Sequence, residues 1–86
     1  MLHVNYTIEA QEHLFYWASN DPKFLTKIIR LIESVSKNPF DGIGKPEPLK
    51  HNLSGYWSRR IDDKNRIIYR VLDKEVVIIS CKGHYK

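Results

Sequence analysis

The residue pattern predicts an α+β fold: a twisted, mainly antiparallel sheet with two N-terminal helices packed on one of its faces. Two periodicities carry this expectation. Before residue 38 the apolar residues recur at helical spacing, and after Gly55 the chain turns to short runs rich in β-branched and aromatic residues. Between these halves, residues 38 to 54 hold three of the four prolines, too many for either regular element.

The elements follow in order. "LHVNY" alternates as a short strand does. Thr7 can cap a helix running to about Ser19, with Ala10, Leu14, Trp17 and Ala18 on one apolar face. "SNDP" breaks that pattern, and Asp21 followed by Pro22 starts a second helix, an N-cap acceptor with proline at the first helical position. Phe24, Ile28, Leu31, Ile32 and Val35 form its buried stripe, with Leu25 and Ile29 beside it. "KNPF" ends it. The long connection that follows is stiff, and connections of this length inside compact domains are often functional. "YWSRRI", "RIIYRVL" and "EVVIISC", separated by the polar turns "DDKN" and "DK", read as a three-stranded antiparallel meander.

Strand alternation divides the meander's side chains. Tyr56, Ser58 and Arg60 share one face, and Trp57, Arg59 and Ile61 the other. Arg66, Ile68 and Arg70 alternate in the same way with Ile67, Tyr69 and Val71. A regular hairpin would bring Arg60 and Arg66 close across the ladder.

With 86 residues and a hydrophobic fraction of 42%, the chain suits one domain, residues 1–86, with one core. The apolar runs are too short to span a bilayer and no signal peptide is visible, so a cytoplasmic location is expected and a membrane partner is not. Cys81 lacks a disulfide partner and sits in "VVIISC", where a buried small hydrophobe fits better than a catalytic thiol. His3 and His13 read as structural. No Cys/His spacing suits a metal, and no cofactor is called for.

The formal net charge of +4 favours an anionic partner, and the cations are clustered. Lys45, Lys50, His51, Arg59, Arg60, Lys64 and Arg66 fall within the connection and first hairpin, and Lys82, His84 and Lys86 at the C-terminus. The cluster suits phosphate contacts; a solvated sheet edge defended by basic residues is the competing reading. Trp57 and Tyr69 belong to the core more readily than to a stacking surface, whereas Tyr85 suits a ligand.

In "KPEP", two prolines flank Glu47 and hold it on an extended segment. Glu47, Arg66 and His84 would together supply RNA transesterification: a base for the ribose 2′-hydroxyl, a cation for the phosphate, and an acid for the departing 5′-oxygen. Nearby cations would keep Glu47 ionised, and partial burial is expected to offset their effect on its basicity. Small basic proteins often contain such residues, so the constellation alone leaves the reaction open.

"NPFDGIGKPEPLKHNLSGYWSRRIDDKNRIIYRV", the terminal "CKGHY" and the "YW" of the first helix resemble the YoeB/Txe toxins of the RelE/ParE superfamily, over essentially the whole chain. The resemblance implies a microbial-ribonuclease-like fold and a ribosome-dependent endoribonuclease that cleaves mRNA in the A site. It implies a YefM-like antitoxin with an acidic C-terminal segment, operator DNA contacted through the toxin–antitoxin complex, and a possible homodimer. By position it implies catalytic roles for Glu47, Arg66, His84 and Tyr85, with Lys50 and Arg60 in support. Lys45 and His51 join these as expected RNA contacts. A lysine after the terminal tyrosine and Gly83 before His84 depart from the family pattern, and glycine could loosen the placement of His84. A ParE-like poison of a protein target such as gyrase, or an RNA-binding module without turnover, are the alternative functions.

Overall fold

The computed structural model describes residues 1–83; the predicted site residues His84 and Tyr85 lie outside the described residues. Strand β1 (His3–Tyr6) leads into helices α1 (Ile8–Asn20) and α2 (Pro22–Lys37). A long connection then carries a two-residue strand, β2 (Glu47–Pro48), and a single 3-10 turn, His51–Leu53. Strands β3 (Tyr56–Arg60), β4 (Arg66–Val71) and β5 (Glu75–Ser80) complete one five-stranded sheet in the order β1-β5-β4-β3-β2. Three pairings are antiparallel, and β1 joins β5 in parallel. The α+β class and the meander are as the sequence predicts.

Both helix starts are capped by the residues that the sequence singles out. Ala10 N–H donates to Thr7 Oγ1 at 3.0 Å, and Phe24 N–H to Asp21 Oδ1 at 3.2 Å. Ile28, Leu31, Ile32 and Val35 of α2 are buried against Ile67, Tyr69, Val76 and Ile78 of the sheet. Ala10, Leu14 and Trp17 bring α1 onto the same core, while Ile29 and Ala18 face outwards. No helix among the described residues is long and apolar enough to cross a membrane.

Among the described residues, one cation lies within this apolar layer. Arg59 is fully buried, on the helix-facing side of β3. Its Nε–H donates to the Tyr69 hydroxyl at 3.1 Å. Nη1 donates to Ser34 Oγ and to the Ile43 carbonyl, both at 2.9 Å. Nη2 donates to the carbonyls of Asn38 at 2.6 Å and Asp41 at 3.0 Å. A guanidinium has five N–H bonds, and all are used here. Tyr69 in turn donates to the Pro39 carbonyl at 2.6 Å. Arg59 thus leaves the group of phosphate-contacting cations suggested by its position in the sequence. It is a structural pin for the chain between α2 and β2.

The approach is too close for a side chain at Gly42. Its φ is +132°, and a Cβ there would stand 2.5 Å from Ser34 Oγ and 3.0 Å from Arg59 Nη1. Removing the guanidinium strips its partners of donors and leaves a void, so Arg59→Met is expected to lower the unfolding free energy by about 3 kcal/mol or more. Equilibrium denaturation in urea measures this directly.

Candidate active site

The segment that delivers Glu47 is an edge strand, which "KPEP" does not suggest when read as a loop. Arg60 N–H donates to the Gly44 carbonyl at 2.6 Å, and Leu49 N–H to the Tyr56 carbonyl at 2.8 Å. Between these two bonds Glu47 pairs with Ser58 and Pro48 with Trp57. Since Leu49 turns its N–H towards β3, alternation turns the nitrogens of Pro46 and Pro48 away from the sheet. Proline costs no ladder bond there, and it blocks further pairing at the edge. Lys45 and His51, on either side, have φ of +50° and +60°, which side chains other than glycine seldom adopt. The chain bends at both and is held straight between them.

Register assembles the site. Glu47 is opposite Ser58, Ser58 opposite Ile68, and Ile68 opposite Ser80. Opposite residues of a regular antiparallel ladder share a face, so Glu47, Ser58 and Ile68 form one row across β2, β3 and β4; a register shift between Ile68 and Tyr69 interrupts the ladder to β5, where Ser80 Oγ lies 3.4 Å from His13 Nδ1 of α1. The face of that row is turned away from the helix layer. Arg66 lies two residues before Ile68 on the same face, and its Nη1 donates to Ser58 Oγ at 3.4 Å. Glu47 and Arg66 therefore flank the buried Ser58 from two directions, the carboxylate from β2 and the guanidinium from β4. Arg60 is opposite Arg66, as the hairpin alternation predicts. Arg60 forms an ion pair with Asp63 in the turn, which moderates the like charges facing each other.

The remaining predicted residues stand at different distances from this row. Lys45, Lys50 and His51 are exposed around β2. Among the described residues none of them is hydrogen-bonded or ion-paired to Glu47. Glu47 itself is exposed, so the expected partial burial is corrected: the outermost strand of a sheet has no neighbour beyond it. Beside the row opens a cleft of about 360 Å³, lined among the described residues by Glu9, Leu53, Tyr56, Ile68, Ile79, Ser80, Lys82 and Gly83. Arg70 stacks over the Tyr56 ring at 5.7 Å.

Helix α1 anchors the end of β5. Thr7 Oγ1 donates to the Ile79 carbonyl at 2.9 Å, and Trp17 Nε1 to the Cys81 carbonyl at 3.0 Å. Cys81 N–H donates to His13 Nδ1 at 3.1 Å, so that ring nitrogen carries no proton. His13 and Trp17 read as structural in the sequence, which does not place them at this junction. Their spacing of four residues, one helical turn, was the available signal.

The sequence matches the family of YoeB-like toxins of bacterial type II toxin–antitoxin systems over residues 6–85. It is 52% identical to the toxin YoeB of Synechocystis over 79 residues, 91% of this chain and 92% of that one. Its fold is similar to a YoeB/ParE toxin from Agrobacterium tumefaciens, with a TM-score of 0.94 and 37% identity over 98% of this chain and 100% of the other. A YoeB from Staphylococcus aureus has been solved as a dimer (TM-score 0.89, 45% identity, 98% of both chains) and in complex with YefM (TM-score 0.87, 43% identity, 99% of both chains). The protein is a toxin of a type II toxin–antitoxin system. Within that class it belongs to the YoeB family.

Cys81 takes no part in this site. Burial pushes its thiol up from an ordinary value of 9.0 to about 12. The folded state therefore keeps a proton that the unfolded chain releases above pH 9, and stability falls as pH rises from there to about 12. Burial also raises the Tyr69 hydroxyl, against the opposing effect of Arg59, and this adds to the loss above pH 10. At pH 8 a thiol-reactive chromophore should leave the native protein unlabelled and label one thiol per chain after denaturation. Unfolding midpoints measured at pH 8 and pH 10.5 are expected to differ, with the lower at pH 10.5.

Proposed function

We propose that this toxin is a ribosome-dependent endoribonuclease that cuts mRNA in the ribosomal A site and so stops translation. One observation carries the reading: the register of β2, β3 and β4, which brings Glu47 and Arg66 to either side of Ser58 on the uncovered face of the sheet. Membership of the YoeB family supports it.

Glu47 takes the proton of a ribose 2′-hydroxyl, and the freed oxygen attacks the adjacent phosphorus. Arg66, with Arg60 beside it, stabilises the charge that gathers on the non-bridging oxygens. The bond from phosphorus to the 5′-oxygen breaks, and His84 gives its proton to that oxygen. The products are a 2′,3′-cyclic phosphate and a 5′-hydroxyl. Tyr85 helps to orient the scissile nucleotides, while Lys45, Lys50 and His51 contact the phosphates on either side. The cleft lined by Leu53, Tyr56 and Ile68 offers an apolar wall and an aromatic ring for a base. The ribosome supplies the rest of the substrate's alignment.

The partners follow the same reading. A YefM-like antitoxin with an acidic C-terminal segment complements the basic rim of the site, and the toxin meets operator DNA only through that complex. Its place of action is the cytoplasm, and a homodimer like that of the Staphylococcus aureus relative is the expected assembly for the toxin alone.

Glu47→Gln, Arg66→Ala and His84→Ala are each expected to slow cleavage of ribosome-bound message by about 100-fold or more. Circular dichroism should show each variant folded as the parent is. Mapping of mRNA ends after timed incubation reads the rates, and parental rates in all three folded variants would exclude the mechanism.

A further inference from the structure

The turn between β3 and β4 grips the end of the chain. We propose that Asn65 is a positioning residue for His84, acting through Gly83, an inference that rests on the ribonuclease reading above. Asn65 Oδ1 accepts the Gly83 N–H at 2.9 Å. The next residue, Arg66, donates its own N–H to the Gly83 carbonyl at 3.0 Å. Two consecutive residues thus occupy both backbone polar groups of Gly83, and the second of them carries the guanidinium of the site.

Asp62 fixes the orientation of the Asn65 carboxamide. Asn65 Nδ2 donates to the two carboxylate oxygens of Asp62 at 3.2 and 3.4 Å, and Asn65 N–H donates to Oδ1 at 2.7 Å. Lys64 N–H adds a further bond to the same oxygen at 2.8 Å. Slight burial pushes the Asp62 carboxyl up, but these donors outweigh it and hold the group below the usual carboxylate range. An ionised carboxylate accepts and cannot donate, so the amide nitrogen must face Asp62 and the amide oxygen is left for Gly83. The Asn65 carbonyl closes the turn by accepting the N–H groups of Ile61 at 3.0 Å and Asp62 at 3.2 Å.

Gly83 suits this grip. Its φ of +93° is a conformation that side-chain-bearing residues rarely adopt, although a Cβ there would meet nothing within 4 Å. The requirement for glycine is therefore conformational rather than one of space, and the pair of hydrogen bonds holds Gly83 itself. Cys81 is held from the other flank by His13 and Trp17 of α1. The segment from Cys81 to Gly83 is clamped at both ends, one peptide bond before His84. An acid displaced by an ångström can lose on the order of 100-fold in rate, and among the described residues the Asn65 amide is the side chain that ties this departure point to the β3–β4 turn.

The test uses the full-length protein, with cleavage of ribosome-bound message and hydrogen exchange of the Gly83 amide as separate readouts. Asn65→Ala is expected to lower kcat by about 10- to 100-fold, with KM changed less than about twofold and the Gly83 amide exchanging faster. The exchanged pair, Asp62→Asn with Asn65→Asp, reverses the roles of amide and carboxylate but still offers an acceptor to Gly83, and should recover most of the lost kcat. Parental kcat in Asn65→Ala, or a loss of kcat with unchanged Gly83 exchange, overturns the positioning role while the ribonuclease reading stands. A parent protein that leaves the message uncut overturns both.

Discussion

A buried guanidinium with its five donors spent on neutral oxygens is the constraint from which the site is built. Arg59 ties the carbonyls of Asn38, Asp41 and Ile43 to Ser34 of α2 and Tyr69 of β4. Each of those carbonyls belongs to a stretch of chain with no secondary structure to satisfy it. A buried ion without a countercharge is costly unless dipoles converge on it, and here they do. The same convergence uses up the loop's own polar groups, so cation and loop satisfy one another. A lysine has three donors on one nitrogen and lacks the planar fork that reaches five directions.

What this pin controls is the entry of β2. Directly after Ile43 the chain meets β3 through the bond from Arg60 to Gly44, and three residues later Glu47 pairs with Ser58. Arg59 and Arg60 are therefore neighbours with opposite duties. One faces the helices and fastens the connection; the other faces the open side, in register with Arg66. At the far end of the same sheet, the β3–β4 turn and α1 fasten the segment from Cys81 to Gly83. Among the described residues the candidate site draws its parts from an edge strand and a central strand, and the edge strand arrives through hydrogen bonds that lie outside the site.

Much of this was legible in the sequence where the signal is local. The Thr7 and Asp21 caps, the stripe of α2 and the division of the hairpin into two faces depend on residues a few positions apart, and they stand as read. The two-residue strand β2 was not legible, because prolines are poor strand formers except at an edge, and edge status depends on the whole sheet. Nor does any local pattern announce that β1 runs parallel to β5, some seventy residues away. Residue type alone groups Arg59 with the surface cations. The contrary signal was present: alternation sets it with Trp57 and Ile61, on the face that is buried. The Asn65–Gly83 contact was invisible for the same reason as β1, since its partners are eighteen residues apart.

The central claim is that a carboxylate and a guanidinium on the open face act on a ribose hydroxyl and its neighbouring phosphate. Chemical replacement of that hydroxyl tests it without altering the protein. A message carrying a single 2′-deoxyribose on the 5′ side of the scissile phosphate, held on the ribosome, is expected to resist cleavage at that position while an all-ribose message is cut. Cleavage of both at similar rates would mean that the attacking oxygen comes from elsewhere, and would contradict the account.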